Sequence, residues 1–120
     1  MTSGHTVTIA PGTNHVEVHV DGEKLAESDR PLLLEETGLP TRYYLPREDV
    51  ALERFRKTSF HTTCPFKGEA SYWSIEVGDT THDGIVWSYE DPIPGAEAIT
   101  DHLSFYPDRA EVTVDGATLT

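Results

Sequence analysis

The chain has 120 residues, of which 21 are acidic and nine basic, for a formal charge of −12 with histidine neutral. One domain spanning residues 1–120 is the natural count, and a chain of this length buries roughly two-thirds of its unfolded surface without a disulfide or metal. So acidic a surface excludes a nucleic-acid partner, because phosphate binding needs clustered lysine and arginine.

The single cysteine, Cys64, forbids an internal disulfide and fits a reducing compartment. The N-terminus lacks the basic-then-apolar pattern of a secretory leader, and no apolar run approaches the roughly 18 residues of a membrane span. These features lead to the expectation of a soluble cytoplasmic protein with no membrane partner. The acid surplus suits solubility. With only three lysines (Lys24, Lys57 and Lys67), it also suits a high-salt habitat.

Thr6 to Ala10 is a short β-rich run closed by the Pro11-Gly12 turn signal. His15 to Val20 alternates strictly, with Val16, Val18 and Val20 on one face, and Asp21-Gly22 links it to Glu23–Glu27. Asp-Gly between alternating runs predicts a type I′ hairpin, whose two central residues need positive φ. His15, Glu17 and His19 share the polar face of that strand. They read as a wet face rather than a metal site, and no metal is expected.

Leu32 to Glu36 reads as the next strand, Gly38 and Pro40 as a turn, and Arg42 to Leu45 as a short aromatic strand ended by Pro46. From Arg47 to Lys57 no breaker occurs, and Val50, Ala51, Arg54 and Phe55 fall at helical spacing behind Glu48 and Asp49. That pattern predicts one short α-helix near residues 48–57.

Thr62 to Lys67 then reads as a tight loop from which the strand Glu69 to Val77 leaves. Aromatics on both faces of that strand predict that it is central and covered on two sides. Gly84 to Tyr89 supplies its partner, with Ile85, Trp87 and Tyr89 on one face. Asp91 to Gly95 is a rigid connector, Ala96 to Ile99 a helical turn, and Leu103–Tyr106 and Glu111–Val114 the closing strands, with Asp115-Gly116 as a turn. Many short strands between frequent turns predict a mainly β fold, as a sandwich or small, partly open barrel.

The chemistry concentrates around His61–Ser74. Cys64 is a candidate nucleophile, with Lys67 to lower its pKa and His61 as a base if the loop folds back. The plainer reading is a small buried hydrophobe. Lys67, a rare lysine on a short Pro/Gly-bounded loop, suits an anionic ligand as a point charge. Tyrosines and tryptophans at one mouth of the sheet suit a small-molecule pocket. Its expected lining is Tyr44, Tyr72, Trp87 and Tyr89, with Arg42 and Lys67 for an anionic group. Ser28, Glu35, Thr63 and Cys64 would supply hydrogen bonds, and positions 64, 67 and 87 are expected to converge on one hollow.

Three functions follow. The first is binding of a small, anionic ligand. The alternatives are an enzyme with Cys64 as nucleophile and Lys67 assisting, or an interaction module pairing through an edge strand such as Thr6–Ala10 or Glu111–Val114. Phosphate-binding glycine loops, a serine elbow and paired C-x-x-C are absent, so the residues name no cofactor.

The motifs Thr63-Cys64-Pro65-x-Lys67-Gly68-x-Ala70-x-Tyr72 and Trp87-x-Tyr89-x-x-Pro92, with Tyr43-Tyr44-Leu45-Pro46 and Phe105-Tyr106, resemble a bacterial and archaeal family. It is the domain-of-unknown-function family number four hundred and twenty-seven, and the likeness spans nearly the whole chain. The resemblance implies a small, mainly β, tent-like fold, similar in topology to methionine sulfoxide reductase B and the Mss-four-like zinc proteins. Those relatives hold zinc with two cysteine pairs. With one cysteine here, neither that site nor that redox chemistry carries over. The nucleotidyltransferase label sometimes attached to the family lacks its carboxylate pair in this chain.

Overall fold

The computed structural model describes residues 5–119; Met1–Gly4, which bear on the leader reading, and Thr120 lie outside the described residues. The fold is mainly β, in three antiparallel sheets that close no barrel. Its strands are β1 (Val7–Pro11), β2 (Val16–Val20), β3 (Glu23–Ser28), β4 (Leu32–Glu36), β5 (Arg42–Tyr44) and β6 (Phe55–Cys64). They continue with β7 (Gly68–Val77), β8 (Thr80–Ser88), β9 (Leu103–Phe105), β10 (Glu111–Val114) and β11 (Ala117–Thr118).

The sheet orders are β1-β4-β5, β11-β10-β2-β3 and β6-β7-β8-β9. Asp21 and Gly22 both take positive φ, 50° and 82°, as the hairpin between β2 and β3 requires. Asp115 and Gly116 repeat that geometry between β10 and β11. Leu45 and Leu103 exchange backbone hydrogen bonds of 2.8 Å each, which ties the end of β5 to β9 and joins two of the sheets at a corner.

In the sheet β6-β7-β8-β9, β7, the second half of β8 and β9 are buried, with a core on each face, while β6 is largely exposed. Trp73, Ile75, Ile85, Val86, Leu103 and Phe105 pack against the valines of β2 and β10 in one core. Ala70, Tyr72, Trp87 and Tyr89 pack against Leu34, Tyr44 and Ile99 in a second, more aromatic core. The sheet β1-β4-β5 covers that second core, and its outer edge is β1.

The helix expected near residues 48–57 does not form. Two 3-10 turns, Arg47–Asp49 and Leu52–Arg54, take its place, and Phe55 already belongs to β6. Tertiary bonding overrides the helical spacing. Val50 is extended and bridges Ala26, the Ala51 N–H donates to the Leu25 carbonyl at 2.9 Å, and Asp49 accepts from Ser28 Oγ at 2.6 Å. The loop expected over Thr62–Lys67 is also shorter, because β6 runs on to Cys64. Glu111–Val114 is not an edge, since β10 lies between β2 and β11. No helix among the described residues is long and apolar enough to cross a membrane.

Candidate functional site

The two sequence motifs meet in space at the tip of the β6–β7 hairpin. Gly68 sits there at φ +118°, and a Cβ on it would come within 3.3 Å of Pro92 Cα and 3.2 Å of the Ile93 nitrogen. The Ile93 N–H donates to the Lys67 carbonyl at 3.0 Å, so the connector after β8 closes onto the tip. This contact fixes where Lys67 points. Its ammonium donates to Glu36 Oε1 at 2.8 Å and lies 5.9 Å from the centre of the Tyr89 ring.

Beside this pair lies a cavity of about 170 Å³ between β4–β5 and the aromatic face of β7–β8. Tyr44, Tyr72, Trp87, Tyr89 and Tyr106 form its walls, and Glu36, Arg42 and Lys67 are its charged lining. The Trp87 indole N–H donates to Tyr44 Oη at 3.0 Å, and the two rings meet edge to face. Tyr106 lies across Trp87 with ring centres 4.4 Å apart, and the Arg42 guanidinium sits 5.5 Å from the Trp87 ring centre.

Burial pushes the Tyr44 and Tyr89 hydroxyls well above the ordinary phenol range, so both are neutral donors at any physiological pH. Burial, followed by hydrogen bonding with Tyr72, pushes the Tyr106 hydroxyl up to about 12. For Glu36, burial works upward, but the Lys67 ammonium and His5 outweigh it and hold the carboxyl below its ordinary value. Lys67 is therefore already neutralised. Arg42 is not. Among the described residues no carboxylate pairs with Arg42, nor with the exposed Arg56 and Arg109, whereas Lys24, Arg30, Arg47, Arg54, Lys57 and Lys67 all have one.

Of the residues expected at the site, Arg42, Tyr44, Lys67, Tyr72, Trp87 and Tyr89 line this cavity together. Cys64 does not line it. The half-buried thiol packs at the margin of the aromatic core. His61 lies on the opposite face of β6 from Cys64, since residues three apart on a strand point to opposite sides. Ser28 is elsewhere, bonded to Asp49. Glu35 and Thr63 are exposed on the outer faces of their strands. Of their neighbours, Glu36 is buried and Thr62 is exposed on the edge strand β6. Glu36 holds Lys67, and Thr62 Oγ1 lies 2.7 Å from Tyr72 Oη. Sequence reasoning missed Glu36, Thr62 and Tyr106; alternation counted from buried Leu34 would have found Glu36.

One other group of ligand-type atoms occurs among the described residues. His15 Nε2 lies 3.1 Å from Glu17 Oε2 and 2.9 Å from Glu27 Oε2, on the exposed face of the β2–β3 hairpin. The three groups satisfy one another as ion pairs, and the hydrogen bonds that the ring donates to Asp29 and Glu17 push the imidazole up to about 9.

Compared with known families, residues 8–116 match the model described as Domain of unknown function (DUF427). No curated protein matches the chain.

Proposed function

Since the chain belongs to the DUF427 family, whose description assigns no chemistry, we propose from the geometry that the protein binds a small anionic ligand in the Tyr44–Trp87 cavity. Arg42 is the group that receives the charge. A half-buried guanidinium, set over an indole and left without a carboxylate in a chain of charge −12, is the observation that carries this reading. The pairing of Lys67 with Glu36 assigns Lys67 a supporting part: it shapes the floor and keeps the Glu36 charge from repelling an anion.

The tyrosine hydroxyls complete the site as neutral donors to a carboxylate or phosphate oxygen. A thiol enzyme has less support, because Cys64 stands outside the lining and His61 faces away from it. Partner pairing along β1 rests on its place at a sheet edge alone.

A thermal-shift screen over small carboxylates, phosphate monoesters, neutral sugars and nucleotides tests the proposal. Small monoanions should raise the melting temperature of the native protein and lose that effect in Arg42→Gln. Stabilisation by neutral sugars alone, or equal stabilisation of both proteins, would overturn it.

A further inference from the structure

A second and larger hollow adjoins the first. It holds about 580 Å³ on the same side of the sheet, and Tyr72 and Tyr106 line both hollows. Two interruptions in strand pairing shape it. On β6 the register slips between Lys57 and His61, where the Thr58 hydroxyl accepts the Phe60 N–H at 3.1 Å. On β8 it slips opposite Ser74, where Gly84 takes φ +58° and its N–H donates to Ser74 Oγ at 2.8 Å. Bulges on both neighbours of one strand bend the sheet and re-aim side chains.

The result is a cleft with an apolar wall. Phe60 is 61% exposed, yet its ring lies 5.2 Å from that of Tyr72 at the cleft's edge. At the other end Asp83, Asp108 and Arg109 line the cleft, and the Arg109 guanidinium donates one hydrogen bond to the Asp83 backbone carbonyl at 2.6 Å. The charge balance is opposite in the two hollows. The inner one sets two bases, Arg42 and Lys67, against one acid, Glu36, and the outer one sets two acids, Asp83 and Asp108, against one base, Arg109.

We infer that the outer cleft binds the neutral aryl or alkyl body of the ligand whose anionic head lies under Arg42, so that the substrate class is an amphipathic monoanion. The inference rests on the reading of the inner cavity given above. The sizes agree with it: about 170 Å³ is too small for a typical ligand pocket of roughly 300–1,000 Å³, whereas about 580 Å³ falls within that range. The inner cavity takes a head group, and the rest of the molecule crosses the Tyr72–Tyr106 rim. With two carboxylates against one guanidinium, the far end disfavours a second negative charge.

The test is a calorimetric titration of the native protein and Phe60→Ser with benzoate, 4-phenylbutyrate, 6-phenylhexanoate and a dicarboxylate of similar length. Phe60 is exposed, so its replacement leaves the core intact. In the native protein affinity should rise about tenfold from benzoate to 6-phenylhexanoate as the ring enters the cleft, and the dicarboxylate should bind more weakly than the phenylalkanoate. In Phe60→Ser that gain should shrink while benzoate affinity stays the same. Acids that bind with Arg42 dependence but without regard to chain length would overturn the cleft and leave the inner site standing. Failure of every acid to bind would overturn both readings.

Discussion

The Lys67 ammonium and the Glu36 carboxylate meet at 2.8 Å, joining the tip of the β6–β7 hairpin to strand β4. Their side chains are only 11% and 7% exposed, so neither charge is satisfied by water. Removing one partner strands the other. Glu36→Gln is expected to cost about 3 kcal/mol in urea unfolding, and the double variant Glu36→Gln/Lys67→Met to recover most of it. An equal loss in the double variant would mean that packing, rather than charge, is what the pair supplies.

The same pair sets an acid limit. The folded Glu36 carboxyl lies below its ordinary value, so its contribution is complete above a pH of about 4.3, where the unfolded carboxyl titrates, and is lost as pH falls through the folded value. Between those limits Glu36→Gln should lose less stability per pH unit than the native protein. Parallel acid profiles of melting temperature would contradict this.

His15 gives the opposite sign. Its folded value of about 9 lies above the ordinary histidine value, so its contribution is complete below pH about 6.5 and disappears as pH rises to about 9. The imidazole is partly open to solvent, so salt screens the effect. Melting curves at low salt should fall across that window for the native protein and flatten for His15→Asn.

Gly68→Ala should destabilise by about 1–3 kcal/mol, because φ +118° is left almost entirely to glycine and the new methyl meets the backbone of Pro92 and Ile93. Since that contact also places Lys67, ligand binding should weaken together with stability. Wild-type unfolding curves would show that the connector yields.

Much of the fold was legible because alternation and turn chemistry are local. Val16, Val18 and Val20 announced their face, and Asp21-Gly22 announced its turn. Six of the residues expected to line a pocket meet at one cavity, while Ser28 lies elsewhere and Cys64 stands outside the lining. Glu35 and Thr63 lie on the outer faces of their strands, and it is their neighbours Glu36 and Thr62 that bond to Lys67 and Tyr72. A one-residue slip reverses every side chain on a strand, and two adjacent glutamates or threonines offer no local clue to parity. The helix over Arg47–Lys57 failed for a different reason: the bonds that extend Val50 and Ala51 come from β3, more than twenty residues earlier in the chain. Ion pairing was equally non-local, so nothing nearby showed that Lys67 is neutralised while Arg42 is not.

Cys64→Ala separates the thiol from the binding site. The side chain borders the aromatic core without lining the cavity, so affinity for a small acid should change by less than about twofold. A loss of tenfold or more would bring the thiol back into the site.

The most direct measurement follows the emission of Trp87. Trp73 belongs to the other core, beneath Arg47 and Lys57, so Trp73→Phe leaves the cavity indole as the only tryptophan. In that protein, titration with benzoate should give a saturable change in emission, and adding Arg42→Gln should weaken the apparent affinity by about tenfold or more. The same titration curve with and without the guanidinium, or no saturable change at all, would contradict the assignment of this cavity as an anion site.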